Sequence, residues 1–135
     1  MINNFYKNQE YIVDLELNLS LPKTVHFCEL KDTLDLFSVK LICSEEISNI
    51  EICFDSVVSY RSADEGSRMR FLDECPDGIL GDKILIGVKN SQYLNWFMNE
   101  CHHIYDESEL NHYIIITSDS IIDVLTYEKP QIILK

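Results

Sequence analysis

The sequence contains few residues that interrupt regular structure. Proline occurs three times and glycine four times in 135 residues. No Pro-rich or Gly-rich linker, internal repeat or phosphate-binding loop is therefore evident. We expect a single domain over residues 1–135.

Positive charge is also scarce. Lys and Arg number 11 against 23 Asp and Glu, which gives a formal net charge of −12. Proteins that hold nucleic-acid phosphates need clustered Lys and Arg, and an acidic field repels DNA, RNA and anionic membranes. We expect neither nucleic acid nor a membrane as a partner.

Long apolar runs and metal-site spacings are missing as well. No stretch reaches the roughly 18 apolar residues of a membrane span and no secretory leader is evident, so we expect a cytoplasmic protein. Five cysteines without CxxC spacing indicate reduced, mostly buried thiols. His102, His103 and His112 lack a zinc-binding framework, and we expect no metal and no cofactor.

Alternating apolar and polar residues predict a sheet. The clearest alternation places Val13, Leu15, Leu17 and Leu19 on one face of a strand. Further strands are predicted at 25–30, 34–43, 47–60 and 80–88. The strongest hairpin signal is a polar turn, Ser118-Asp119-Ser120, between two β-branched runs. Apolar residues on both faces of these runs indicate central strands, although a free edge at residues 121–125 that pairs with another chain is an open alternative.

Two helices are predicted beside this sheet. The principal helix covers about 91–104, where Leu94, Phe97, Met98, Cys101 and Tyr105 recur at helical spacing and Asn90 or Ser91 caps the start. The fold class expected is α+β, a curved, mainly antiparallel sheet packed with this principal helix.

The second helix is short and covers about 63–75. Its start matches a capping box formed by Ser62 and Glu65. Helical spacing turns Met69, Leu72 and Cys75 inward.

The same segment holds a charged network. Arg61 can pair with Asp64 or Glu65, and Glu65 can pair with Arg68. Two interpretations stay open, a structural network that orders this corner and a functional site.

Catalytic signatures are absent. No GxSxG elbow and no cysteine-enzyme signature occurs, and the abundant carboxylates are typical of a solvated acidic surface. An enzyme using Asp64 or Glu65 with His112 is the least favoured hypothesis. We expect no catalytic residues.

Several motifs between about residues 50 and 131 carry a resemblance. They are Phe54-Asp55-Ser56-Val57, Tyr60-Arg61, Asp64-Glu65-Gly66, Trp96-Phe97 with Glu100, His112-Tyr113, Ile122-Asp123-Val124-Leu125 and Pro130. This pattern resembles bacterial immunity proteins of the polymorphic-toxin or contact-dependent growth-inhibition type. The resemblance implies a partner, a cognate and basic toxin domain such as a nuclease, which the protein neutralises.

An acidic surface agrees with that function, because it attracts a basic toxin through electrostatic steering. The expected partner-binding residues are Tyr60, Asp64, Glu65, Asp73, Glu74, Asp77, Tyr105, Asp106, Glu107 and Glu109. The alternative is a small-ligand-binding or regulatory module. It predicts a pocket near Tyr60, Arg61 and Trp96 in which an arginine receives an anion.

Overall fold

Nine strands and two α-helices make up the described part of the chain. A computed structural model describes residues 10–14, 24–43, 48–75 and 83–134. The strands are β1 (Tyr11–Asp14), β2 (Val25–Asp32), β3 (Phe37–Cys43), β4 (Ser48–Phe54), β5 (Val57–Asp64), β6 (Leu85–Lys89), β7 (Asn111–Ile116), β8 (Ser120–Thr126) and β9 (Gln131–Leu134). The helices are α1 (Met69–Glu74) and α2 (Gln92–Glu100), with 3-10 turns at Glu65–Ser67 and Glu107–Glu109.

The strands form two antiparallel sheets. One sheet has the order β1-β6-β7-β8-β5 and the other has the order β2-β3-β4-β9. The predicted α+β class is confirmed, with the strands divided between two sheets rather than placed in one. The strand predicted over 47–60 is two strands, because the chain turns at Asp55 and Ser56 and crosses from the second sheet to the first.

The main core lies between the two sheets. Strand alternation sends one side chain of each successive pair into this space, so that Ile122 faces inward and its neighbour Asp123 faces outward. The buried members of this core are Val25, Phe37, Val39, Leu41, Ile50, Ile52, Phe54, Ile84, Leu85, Tyr113, Ile115, Ile122 and Val124.

The outer face of the five-stranded sheet is covered by the helices. Its apolar half comprises Ile86, Val88, Ile114, Ile116 and Ile121, against which Ile12, Phe71, Leu72 and Cys75 pack. This arrangement gives three layers, the four-stranded sheet, the five-stranded sheet and the helical layer.

The start of α1 differs from the prediction. Ser62 lies within β5, which continues to Asp64, so the predicted capping box is wrong. The helix begins only at Met69, and this later start turns Phe71 and Leu72 toward the sheet. Met69 is 59% exposed, contrary to the prediction.

The principal helix is confirmed in place but is shorter than predicted. The side chain of Ser91 accepts a hydrogen bond from the Leu94 N–H and caps α2, as one of the two candidates predicted. Positive φ angles at His102 and His103 end the helical path soon after Glu100.

The predicted hairpin is confirmed. Strands β7 and β8 pair from Asn111 opposite Thr126 to Ile116 opposite Ile121. Because β8 also pairs with β5 along its other side, residues 121–125 are central and the alternative of a free edge there is wrong.

The five cysteines are free thiols. Cys43 and Cys53 are buried, and Cys75 and Cys101 are half-buried. Cys28 is exposed, contrary to the expectation of burial, because the β2–β3 register shifts between Phe27 and Glu29 and leaves this residue unpaired. No helix in the described ranges has the length and apolar character needed to cross a membrane.

Candidate functional site

Asp123 is the centre of a polar cluster on the outer face of the five-stranded sheet. Its side chain is fully buried, although it lies within the apolar run of β8. A buried carboxylate is unfavourable unless it is paired and hydrogen-bonded. Strand β8 buries the carboxylate of Asp123, and the surrounding residues supply the hydrogen bonds and positive charge that it needs.

Two arginines bind this carboxylate. Arg61 on β5 places Nε 3.1 Å from Oδ2 of Asp123, and Arg68, just before α1, donates from an Nη to the same oxygen. In the part of the chain described, the predicted pairs of these arginines with Asp64 and Glu65 are not formed. Those pairs were wrong because Asp64 and Glu65 are exposed to water, whereas the buried Asp123 gains far more from a cation.

His112 connects Asp123 to the start of α2. Its Nε2 lies 2.7 Å from Oδ1 of Asp123 and its Nδ1 lies 2.7 Å from Oγ of Ser91. An ionised carboxylate only accepts hydrogen bonds, so Nε2 carries a proton. The Ser91 hydroxyl accepts from the Leu94 N–H at 2.9 Å and also shares the hydrogen bond with Nδ1. The cluster therefore ties the helix cap to the sheet.

Each arginine also stacks on an aromatic ring from a different helix. The Arg61 guanidinium lies 4.3 Å from the ring centroid of Tyr93 on α2. The Arg68 guanidinium lies 5.0 Å from that of Phe71 on α1. Both contacts have cation–π geometry, and through them Asp123 fixes both helices relative to the sheet.

The pKa of Asp123 reflects these opposing influences. Burial raises it, but the hydrogen bonds and positive charge of His112 and Arg61 outweigh burial and lower the pKa to about 2. For Tyr93, burial raises the pKa, and the hydrogen bond with Ser59 and the charge of Arg61 counteract it only in part. Asp123 is thus ionised and Tyr93 is neutral at physiological pH.

The order Ser91, His112, Asp123 matches the residue types of a hydrolytic triad, but its chemistry is different. Ser91 is only 5% exposed and its oxygen accepts the helix-capping bond. A nucleophile must reach a substrate and needs a separate oxyanion donor. Both ring nitrogens of His112 are engaged in this cluster, so the structure does not pair it with Asp64 or Glu65.

An open pocket of about 470 Å³ lies beside the polar cluster. Its lining residues are Glu10, Ser59, Tyr60, Arg61, Gln92, Tyr93 and Trp96. The Trp96 ring stacks against Tyr93 at 6.0 Å between centroids and remains 55% exposed. Glu10 accepts a hydrogen bond from the Gln92 N–H at the start of α2. The pocket therefore combines an exposed aromatic ring with the half-exposed Arg61. It lies where the ligand-binding alternative predicts one, near Tyr60, Arg61 and Trp96.

The predicted acidic residues fall into two separate groups. Asp64 and Glu65 lie where β5 pairs with the start of β8, followed by Asp73 and Glu74 on α1. The second group is Asp106, Glu107 and Glu109, all exposed, which precede β7 at the level where β8 ends. Strand β8, whose seven residues span about 20 Å, runs between these two ends of the sheet.

The remaining predicted partner residues differ in exposure. Tyr60 is 38% exposed on β5 and its ring lies 4.8 Å from that of Phe37. Tyr105 is half-buried between Phe97 and Tyr127. Asp77 lies outside the described residues. Tyr60 is thus partly exposed on the strand that carries Asp64, whereas Tyr105 packs against two other aromatic rings.

The histidines do not converge. His102 and His103 are exposed beyond α2, and His112 is buried in the polar cluster. In the described ranges, no group of three or more His, Cys, Asp or Glu residues has a geometry that could hold a metal ion.

Sequence reasoning missed the residue that organises this site. Asp123 is a lone charge in the run Ile121 to Leu125 of a strand predicted to be apolar on both faces. A charge in that position must find a buried partner, so the signal was present. Ser59, Tyr93, Gln92 and Glu10 carried no comparable signal, because only the fold brings them to the pocket.

Comparisons of the chain with models of protein families, with curated proteins and with solved structures give no match.

Proposed function

We propose that this protein is an immunity protein that binds a cognate, basic toxin domain and neutralises it. The observation that carries the proposal is that exposed acidic side chains and exposed Tyr and Arg side chains lie close together along one strand. Trp96 lines the pocket together with Tyr60 and Arg61 of β5. Asp64 ends the same strand and Glu65 follows it. We call the surface that these five residues form around the edge of the sheet at β5 the β5 face.

The chemistry of the β5 face suits protein recognition. Trp, Tyr and Arg are the residues most enriched among interface hot spots, because they combine large apolar area with directed polar groups. Trp96 and Tyr60 expose 55% and 38% of their surface. Arg61 is held in place by Asp123 and Tyr93, so little conformational freedom is lost when a partner covers it.

Charge supports a basic partner. The net charge of −12 attracts a cationic domain over a distance and speeds encounter. Toxin nucleases are basic where they hold phosphates, so an acidic face can cover that surface and block the substrate. Two further acids, Asp73 and Glu74 on α1, are also exposed.

The test begins with capture of the partner. The purified protein is immobilised, exposed to native host lysate at low and moderate salt, and the retained proteins are identified by mass spectrometry. Each retained basic protein is then expressed alone and together with this chain. The proposal requires one that arrests growth alone and is neutralised on co-expression; absence of any such protein would overturn it.

Two charge-matched variants locate the contact. Asp64→Lys with Glu65→Lys and Glu107→Lys with Glu109→Lys each change the net charge from −12 to −8. We expect the first variant to lose neutralisation and the second to retain it. Equal losses would mean that overall charge, and not the β5 face, attracts the toxin.

The pocket favours a second candidate function, binding of a small anion that carries an aromatic ring. Its volume of about 470 Å³ lies within the usual range for ligand sites, and Trp96 offers a ring face beside the Arg61 cation. Benzoate and phenyl phosphate are suitable probes. Binding requires a concentration-dependent rise in Tm in the wild type that Trp96→Ala abolishes, and an unchanged Tm would remove this candidate.

A further inference from the structure

Strand β5 is an edge of the five-stranded sheet and pairs only with β8 among the described strands. We propose that this free edge is where the partner docks, by adding an extended basic strand of its own to the sheet. The inference rests on the proposed function and specifies how the β5 face would bind. The backbone of β5 would supply the affinity, and the flanking side chains the preference for a basic strand.

The hydrogen-bond pattern shows which backbone groups are available. The Glu65 N–H donates to the Asp119 carbonyl at 3.0 Å, and directly opposite residues of antiparallel strands alternate between bonded and non-bonded pairs. Every second residue before Glu65 therefore directs its backbone N–H and C=O toward β8. These residues are Ala63 and Arg61. Tyr60, Ser62 and Asp64 therefore direct theirs outward.

The other side of β8 gives the same assignment independently. The Ile116 N–H donates to the Ile84 carbonyl, so Ile114 also faces β6 and Ile115 faces β8. Because Ile115 is opposite Ile122, Ile122 bonds toward β7. Its neighbour Asp123 then bonds toward β5, opposite Arg61.

The stretch of this edge from Ser59 to Asp64 contains no bulge, which is one of the usual protections against strand addition. Natural edges are guarded by bulges and by charged side chains. The β5 bulge lies between Val57 and Ser59, and pairing is continuous from Ser59 to Asp64. Arg61 is directed to Asp123 under the helices, and the small residues Ser62 and Ala63 leave room for another backbone.

The edge strand β2 provides a contrast. Its register is interrupted by a bulge between Phe27 and Glu29. Glu29 also forms ion pairs with Lys31 on the same strand and Lys40 on β3. Both devices guard that edge, whereas the middle of β5 has no bulge and its charged side chain, Arg61, is directed to the buried Asp123.

Charge selects the occupant. Asp64 and Glu65 stand exposed at the end of the free segment, so basic side chains on an added strand meet carboxylates there. A second copy of this chain also carries −12, and the mutual repulsion opposes pairing of two β5 edges. A basic strand of another protein is the occupant that these charges favour.

The matched pair of variants is Ser62→Pro and Ser62→Ala. Proline removes the outward N–H of Ser62, which β8 does not use, and proline is tolerated on the open side of edge strands. Alanine keeps that N–H. Circular dichroism and Tm establish that both variants are folded.

The probe is a fluorescent, end-capped peptide of about ten residues that alternates Lys and Val, a length typical of a long strand. Its control has the same sequence with every residue N-methylated, so that neither edge of the peptide can donate backbone hydrogen bonds. We expect the first peptide to bind the wild type and Ser62→Ala, and to slow amide exchange at Tyr60, Ser62 and Asp64. Ser62→Pro should lower its affinity by about tenfold or more.

Three results would overturn strand addition. They are no binding of the alternating peptide, equal binding of the N-methylated peptide to the wild type, and binding without slower exchange in β5. The first two comparisons use the wild type alone, so they stand even if Ser62→Pro fails to fold. Dimerisation through β5, seen as a concentration-dependent mass that Ser62→Pro abolishes, would replace the partner strand by a second copy.

The result for the proposed function is separate. If a captured toxin is neutralised equally by Ser62→Pro and Ser62→Ala, while Asp64→Lys with Glu65→Lys loses neutralisation, immunity holds and strand addition is wrong. If no toxin is neutralised at all but the peptide binds with protection of β5, the edge is a docking site and the immunity proposal is wrong.

Discussion

The two sides of the five-stranded sheet are built on different principles, and adjacent residues of β8 illustrate them. Ile122 faces the other sheet and Asp123 faces the helices, and both side chains are fully buried. Ile122 is surrounded by apolar side chains of the main core. Asp123 is surrounded by two arginines and a histidine.

The difference shows how the fold separates stability from positioning. Apolar burial is non-directional and scales with area, so the inner side holds the sheets together without fixing each contact. Charge-assisted hydrogen bonds are directional, so the outer side sets where α1, α2 and the pocket lie. Four substitutions or conditions test this division, from the largest expected effect on the free energy of unfolding to the smallest.

Ile122→Ala should have the largest effect on stability. Removing a fully buried side chain leaves a cavity between the sheets and should lower the free energy of unfolding by about 4 kcal/mol. Urea denaturation measures this, with Ile133→Ala as control, because Ile133 is 40% exposed. Emission of Trp96, the chain's single tryptophan, should stay as in the wild type below the transition. A changed emission would contradict the division.

Asp123→Asn should cost less stability but change the helical layer. The amide keeps the shape and loses the charge that binds Arg61, Arg68 and His112, at an expected cost of about 3 kcal/mol. Because the cluster positions Tyr93 and α2, the native emission of Trp96 should shift. Asp73→Asn, an exposed acid on α1, is the control, and a variant as stable as that control would refute the role of Asp123.

Acid should remove the same contribution from the wild type. The pKa of Asp123 is lowered to about 2 in the folded protein, so its stabilisation is complete above the ordinary aspartate pKa near 4 and is lost as pH falls toward 2. The loss across this window is roughly 2 kcal/mol. The difference in unfolding free energy between the wild type and Asp123→Asn, measured from pH 5 to pH 2, should shrink; a constant difference would contradict the assignment.

Ser91→Ala should have the smallest effect of the four. It removes the cap of α2 and the hydrogen bond between the Ser91 hydroxyl and His112, and a lost cap of this kind costs about 1 kcal/mol. Ser91→Thr keeps the hydroxyl and should retain most of the stability in thermal unfolding. If threonine loses as much as alanine, packing of the small side chain and not the hydrogen bonds explains the effect.

Local patterns predicted much of the fold. The β7–β8 hairpin, the principal helix with its Ser91 cap and the α+β class follow from alternation, helical spacing and capping chemistry within short segments. The errors occurred where one local signal competed with a distant contact. Ser62 and Glu65 match a capping box, but pairing with β8 keeps Ser62 in a strand.

The site was less predictable, and Arg61 and Arg68 show why. Helical spacing offered them partners three or four residues away, whereas they bind Asp123, which is 62 and 55 residues away in the sequence. A local pair at the surface is stabilised by only tenths of a kcal/mol. The buried carboxylate of Asp123 binds the arginines more strongly than a surface acid does. That carboxylate becomes buried only when the sheet has folded.

By itself, the sequence determined the acidic charge, the hairpin, the main helix and the class of fold, because these depend on composition and on neighbours a few residues apart. The tertiary structure alone decided that the strands divide into two sheets, that Asp123 binds both arginines and His112, and that Tyr60, Arg61 and Trp96 share a pocket beside β5, the last strand of its sheet among those described. These features depend on contacts between residues far apart in the chain, whose energies exist only after burial has removed the competing water.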